Sequence, residues 1–366
     1  MKSPREDAAE AWKAPDSIPA PIGNDPAGIE FRAVPLSELG PDEPIAWVWQ
    51  NFVARGHTTL FTGLWKAGKS TMIAHLLRDL ASGAGLAQGV PPCEVLVISE
   101  ESRSIWRRRR DELGIGDHVR VVIRPFLSKV SPQQWERLVA WIADQVREEG
   151  FGLVVIDTIS GVWPVLNEND AVEVTSALMP VHRITDAGAG LLLVHHPRKG
   201  DAKEAQASRG SGALSGFVDT IVELRRYAPD DGTDHRRTLT VYSRIGESGI
   251  DTVLELGDEG YAVLGSGADV RGGDRSEQIS GLLPIGGPGI TVEELHERYP
   301  APAPGVRTLR GDLKAGIEKQ RWVRVGTGTR NDAYQYYRVP ELDSGNPSSL
   351  DAGIESQGPG VGGGAP

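Results

Sequence analysis

Cysteine is nearly missing. Cys93 stands alone among 366 residues, so no intrachain disulfide can form and no cysteine cluster can hold a metal. A reducing, cytoplasmic setting is the expectation. Long apolar runs are missing too: none approaches the roughly 18–20 residues that cross a bilayer, and Met1 to Pro26 lacks the apolar segment of a secretory signal. A soluble chain with no membrane partner is therefore predicted. Hydrophobic residues reach only 39%, but 45 Gly and 25 Pro cause much of that dilution, and the remaining periodic stretches suffice for about two domains. The formal charge is −11, which argues against strong nonspecific DNA binding by a free subunit and leaves such binding to assembly or local focusing.

Met1 to Pro44 is rich in Pro, Ala and acids and has no sustained period, so a disordered leader is predicted. From Ile45 strand and helix patterns alternate: His57–Thr62, Thr71–Leu80, Glu94–Ile98, Ile105–Leu113, Val119–Ile123, Gln133–Arg147, Leu153–Ile156 and Leu191–His195. Alternation of this kind predicts an α/β fold with a mainly parallel sheet and crossover helices. Thr238–Ser243 and Thr252–Leu256 read as a shorter pairing on one sheet edge, closing a domain over 45–264. Gly265 to Asp274, with four glycines in GSGADVRGGD, reads as a linker. Helical patterns follow at Glu277–Leu283, Val292–Tyr299 and Thr308–Gln320, then strand-like runs at Trp322–Val325 and Tyr334–Val339. Three helices and a β-ribbon predict a small winged-helix domain over 275–340. From 341 to 366 a second disordered segment is expected.

The sharpest motif is Gly63-Leu64-Trp65-Lys66-Ala67-Gly68-Lys69-Ser70, followed by Thr71, a full match to G-x-x-x-x-G-K-[ST]. Thr58–Thr62 has strand composition before it, and Ile73, Leu77 and Leu80 give the segment after it one apolar helical face. In that context the loop amides converge on phosphate oxygens beside a helix N-terminus. Lys69 is assigned to the β and γ phosphates and Ser70 to Mg²⁺. FGLVVIDTIS, Phe151 to Ser160, is an apolar strand ending in Asp157, an acid placed for Mg²⁺; taken alone, Asp157 also suits a turn or a helix N-cap. VLVISEE, Val95 to Glu101, ends in two carboxylates. Glu100, closer to the strand end, is the candidate to orient or deprotonate the attacking water, with a solvated helix-start Glu as its alternative. Glu101 reads as the solvated one.

The combination resembles the RecA-like P-loop ATPases, and among them the plasmid RepA-type replicative helicases with their phage and mobile-element relatives. The resemblance spans Trp47 to Leu256 and rests on GLWKAGKST from Gly63, SEES from Ser99, IDTISGVWPVLNENDA from Ile156, LLLVHHPRKG from Leu191 and RGSGALSGFVDTIVEL from Arg209. It implies Glu100 as catalytic glutamate, Asp157 as Walker B acid, and ATP with Mg²⁺ as ligands. It also implies that His195 and His196 end the strand beside the P-loop strand, where they sense the γ-phosphate; alternatively one of them only hydrogen-bonds the sheet end. Rings, typically homo-hexamers, are implied, with each site completed by a neighbour's basic residue. Arg244, closing VYSR, holds the matching position; a strand-end surface charge is its other reading. Trp65 and Lys66 depart from simpler Gly-Ser loops, and Trp47 and Trp49 stand where they either stack on adenine or pack in the core.

Two segments suggest DNA as partner. Pro197 to Ala213 has no large apolar side chain except its proline but carries Arg198, Lys199, Lys203 and Arg209. In the relatives, the loop at this place faces a central channel and touches the strand backbone, contacts that bind phosphate without reading sequence. Between Arg275 and Pro340 ten basic residues face seven acids, a local +3 that leaves −14 for the rest. Arg307, Arg310 and Lys314 share one helix face opposite Leu309, Leu313 and Ile317, as a groove-entering helix requires. Arg324 and Arg330 flank the wing tip at Gly326-Thr327-Gly328. The function predicted is an ATP-hydrolysing helicase motor in replication; the alternatives are an ATP-switched DNA-binding regulator without unwinding activity and a recombination or repair ATPase.

Overall fold

The structure, a computed structural model, describes residues 33, 35–38, 44–196 and 212–339. Most of the expected leader, residues 197–211 of the basic loop, and the expected tail lie outside the described residues. Two units are distinguished, Met1–Pro44 and Ile45–Pro366. The first contributes a single 3-10 turn, Leu36–Glu38.

In the second, β1 (Trp47–Trp49) and β2 (Val53–Ala54) form a small hairpin ahead of β3 (Thr58–Gly63). There follow α1 (Lys69–Asp79), β4 (Val95–Ser99), α2 (Arg103–Leu113), β5 (Val119–Ile123), α3 (Pro132–Glu149) and β6 (Leu153–Asp157). Next come α4 (Ala171–Leu178), α5 (His182–Asp186), β7 (Gly190–His195), α6 (Gly212–Phe217) and β8 (Thr220–Arg226). The run ends with β9 (Arg236–Ser243), β10 (Ile250–Gly257) and β11 (Gly260–Ser266). Nine strands make one sheet in the order β11-β10-β9-β8-β3-β7-β6-β4-β5. From β8 to β5 every neighbour is parallel; β9, β10 and β11 add antiparallel strands at one edge.

The alternation read from the sequence is thus an α/β, RecA-like core. Its inner strands β3, β4, β6 and β7 are buried at every residue because both faces are covered. Along β4, Val95 and Val97 join the cluster with Ile73, Leu76 and Leu77 of α1. Leu96 and Ile98 join the opposite cluster with Leu138, Val139 and Ile142 of α3. The helices are placed by local chemistry: Ser131 and Gln134 close a capping box at the start of α3, with Pro132 in its first turn, and Gly150 ends it in the left-handed region.

The sheet is larger than expected. The β1–β2 hairpin, β8 and β11 were not legible as strands, and the edge pairing of two strands proves to be the middle of a four-strand run. Gly265 to Asp274 is not a linker: Gly265 and Ser266 finish β11, and Gly267 onward forms the first half of α7 (Gly267–Leu282). Glycine costs a helix about 1 kcal/mol per residue, so outside contacts must hold it. Ser266 caps the amide of Asp269, and Asp274 accepts from Tyr227 at 2.8 Å and pairs with Arg236 at 2.9 Å.

α7 continues into the C-terminal elements α8 (Val292–Arg298), α9 (Val306–Glu318), β12 (Trp322–Val325) and β13 (Gln335–Arg338). Three helical segments and an antiparallel ribbon enclose their own core around Ile279, Leu295, Leu309, Leu313 and Trp322. Arg275 on α7 pairs with Asp312 on α9 at 2.7 Å, and the Trp322 indole donates to the Leu313 carbonyl at 2.7 Å. A Cβ on Gly316 would fall inside the Trp322 ring. Gly316→Val is therefore expected to destabilise this module by about 1–3 kcal/mol through overpacking, seen as a lower unfolding midpoint by tryptophan fluorescence. An unchanged midpoint would mean that the ring can move aside.

Candidate functional site

Parallel α/β sheets gather functional groups at the carboxyl ends of their strands, and four such ends meet here. The P-loop leaves β3 at Gly63, where a Cβ would overlap the Leu224 carbonyl oxygen of β8, so only glycine permits the approach. Gly68, φ 103°, turns the chain into α1, and no side chain caps that helix. The first amides of α1 could therefore bind a phosphate, beside the positive end of its dipole. Leu64 and Trp65 are exposed and Ala67 is buried; Lys66 takes φ 60° with its ammonium 4.5 Å from the Trp65 ring centroid. Lys69 is buried and folds back on the loop, donating to the Gly63 carbonyl at 2.6 Å and the Leu64 carbonyl at 3.1 Å. Burial lowers its pKa to about 8, opposed by the charge of Asp157. Thr71 lies in the first turn of α1 and is exposed.

Asp157 ends β6, is 4% exposed, and accepts a hydrogen bond from the Ser70 side chain. Burial raises its pKa to about 6; Glu101 and Glu100 add to the rise, while Arg109 and Ser70 oppose it. No group of three or more His, Cys, Asp or Glu capable of holding a metal occurs among the described residues. A hydroxyl and one carboxylate nevertheless suit Mg²⁺, which keeps several waters and takes substrate phosphates for the rest of its octahedron. Ser70 and Asp157 would hold that ion, and the charge it supplies would neutralise the β and γ oxygens. A nucleotide with Mg²⁺ in this cradle would need Asp157 ionised and Lys69 protonated. The kcat/KM for MgATP should accordingly fall below about pH 6, as Asp157 takes up its proton, and above about pH 8, as Lys69 loses its own. Asp157→Asn should abolish the acid limb; an acid limb that survives in this variant belongs to another group.

The two carboxylates after β4 are handled differently from the expectation. The backbone amide of Glu100 bonds the Asp157 carbonyl at 3.1 Å, its side chain is exposed, and its carboxylate lies against Gly161. Glu101 is not a solvated side chain. It is half-buried and bound through both oxygens by Arg109, one contact at 2.9 Å. Two turns of α2 bring Arg109 back to the strand end, and Arg109 also lies over the Trp106 ring, 5.2 Å from its centroid. This spacing of eight residues gives no short-range signal in the sequence.

His195 ends β7 and pairs in register with Thr62 of β3, as the resemblance implies. Its Nε2 lies 3.3 Å from Glu168, which also accepts from Ser160 at 2.9 Å. The ring that feels the charge of Lys69 is His196. Burial, then Lys69, then His195 lower its pKa to about 4, so the ring is neutral, and its buried Nδ1 has no hydrogen-bond partner among the described residues.

Arg244 is not brought to this site within the subunit. β9 runs antiparallel to β8, so Arg244, after Ser243, lies at the amino ends of the parallel strands and donates to the Gly216 carbonyl at 2.7 Å. The cation that β9 does place at the P-loop is Arg237, roughly 20 Å up the strand. Its Nε donates to the Ala67 carbonyl at 3.0 Å. Sequence reasoning passed over Arg237 because only the sheet topology carries it there. The tryptophans do not reach the P-loop either. Trp49 is buried against Phe52 and Phe61, centroids 4.6 and 6.1 Å away, in a hairpin at the opposite sheet end.

No curated protein matches the chain. Residues 27–202, a little under half of its length, match the family described as an AAA domain, a span that holds the P-loop, Glu100, Asp157 and His195. Over that span the chain is similar to AAA-type P-loop ATPase domains.

Proposed function

We propose that the chain is an ATP-driven, DNA-associated motor of the RepA-like helicase type. The observation that carries the reading is the convergence, at three strand ends, of a glycine-built phosphate loop, a buried Lys69, the Ser70–Asp157 pair and the Glu100 carboxylate, which makes no ion pair among the described residues. In this scheme the loop amides and Lys69 hold the phosphates, and Glu100 takes the proton of an attacking water as the bond between the γ-phosphorus and its bridging oxygen breaks. His196, a neutral ring beside Lys69, is a candidate to register whether the terminal phosphate is present; His195, held by Glu168, then fixes the strand end on which His196 sits.

Arg244 has no role in its own subunit's phosphate site, which suits donation to a neighbour in a homo-hexamer or other ring. Pro197 to Ala213 would follow the strand in the channel, and the three helices and ribbon would act as a winged-helix DNA contact. A motor must hydrolyse ATP faster with single-stranded DNA and separate a duplex in a strand-displacement assay. DNA-independent turnover with nucleotide-controlled DNA binding would instead support the ATP-switched regulator.

A further inference from the structure

Between α9 and the β12–β13 ribbon lies a cavity of about 540 Å³, within the roughly 300–1,000 Å³ range of small-molecule sites. Arg310 and Lys314 line it from the helix, and Arg324, Tyr334 and Tyr336 from the ribbon. The Arg324 guanidinium lies over the Tyr334 ring, 4.2 Å from its centroid, a cation–π contact in the cavity wall. The hydroxyl-bearing edge of that ring is held by Gly328, φ 79°, which approaches so closely that a Cβ there would overlap it. Tyr334 is 38% exposed whereas Tyr336 is buried, its phenol raised by burial against the opposing charges of Arg324 and Arg310. One acid faces the cavity, Glu293, paired with Arg310 at 2.9 Å.

We propose that this groove is a site for single-stranded nucleic acid, with an unpaired base stacked on the Arg324–Tyr334 pair and the adjoining phosphates on Lys314 and Arg310. It rests on the reading that the chain acts on nucleic acid, and not on the ATPase assignment. Three features select the single strand. Aromatic and guanidinium planes stack with any unpaired base, whereas bases inside a duplex are already stacked on one another. The surface is concave and shut on one side by the ribbon, while a helix reading a major groove has to stand proud. Arg307, the third cation of the basic helix face, does not line the cavity. The Glu293–Arg310 pair is exposed on both sides, a contact of small worth that a phosphate can displace.

The test uses the full chain in EDTA without nucleotide, and fluorescence anisotropy with fluorescein-labelled (dT)12 and a blunt duplex of the same length. It is run with the natural loop and with Arg198, Lys199, Lys203 and Arg209 changed to alanine, so that a strand bound there does not mask the groove. We expect tighter binding of (dT)12 than of the duplex, a loss of about tenfold for Tyr334→Ala, and near-full retention for Tyr334→Phe. Lys314→Ala should reduce the salt slope by about 0.7, and iodouracil in the strand should crosslink to Tyr334. Unchanged (dT)12 affinity in Tyr334→Ala in the loop-substituted chain overturns the proposal. So does preferential duplex binding that is lost on Arg307→Ala. DNA-stimulated ATP turnover with no Tyr334 effect sinks the groove and leaves the motor; Tyr334-dependent binding by a chain that never hydrolyses ATP does the reverse.

Discussion

Lys69→Ala is expected to lose MgATP binding and with it all measurable turnover. The ammonium is buried in the P-loop and spends its hydrogen bonds on the carbonyls of Gly63 and Leu64. Hydrogen bonds to a charged group contribute about 1.5–3 kcal/mol each, so losing one or two to phosphate weakens affinity by at least about tenfold and by as much as about 2 × 10⁴-fold. Stability should respond in the opposite way. Burial already pulls the Lys69 pKa down to about 8, so the free protein bears a desolvation cost that alanine removes. The nucleotide-free variant should unfold at or above the natural midpoint, while the upward shift caused by saturating MgATP disappears. A variant that is still stabilised by MgATP would place the nucleotide elsewhere.

How much of this was legible in advance depended on where each residue finds its partners. β3, the P-loop and α1 could be read because the pattern is local: a run rich in β-branched and aromatic residues, glycines where the backbone turns, then Ile73 and Leu77 on one helical face. Asp157 and Glu100 could be read because parallel strands bring their carboxyl ends together whatever lies between them. β8 was obscured because TIVELRR ends in two arginines, of which Arg225 pairs with buried Glu223 at 2.6 Å, a polar pair inside a covered sheet. α7 was obscured because its glycine-rich half is held by Arg236 and Tyr227, about 40–50 residues earlier. Arg236 and its neighbour Arg237 show the general point. Both come from one strand start; one ties down the helix that leads to the C-terminal module, and the other holds the Ala67 carbonyl of the P-loop.

Glu100→Gln is the more discriminating substitution, because two adjacent carboxylates compete for one role. Glu101 acts more strongly than Glu100 on the buried Asp157 and is the one held in an ion pair. Its oxygens, however, are both bound by Arg109. A group that accepts a proton from water must have a lone pair available, and the Glu100 carboxylate, resting against Gly161, makes no ion pair among the described residues. Glu100→Gln should therefore keep the MgATP-induced rise in unfolding midpoint, since no phosphate or metal contact is removed, while turnover drops by about 10²–10⁴. Glu101→Gln should weaken the grip of Arg109, lower stability and leave turnover within several-fold. Gly161→Ala should fall between them, because the new methyl occupies the place of a Glu100 oxygen and the flexible carboxylate must shift rather than vanish. If turnover survives in Glu100→Gln and collapses in Glu101→Gln, then Arg109 is not a clamp but a gate, one that must release Glu101 before the γ-phosphate can be attacked.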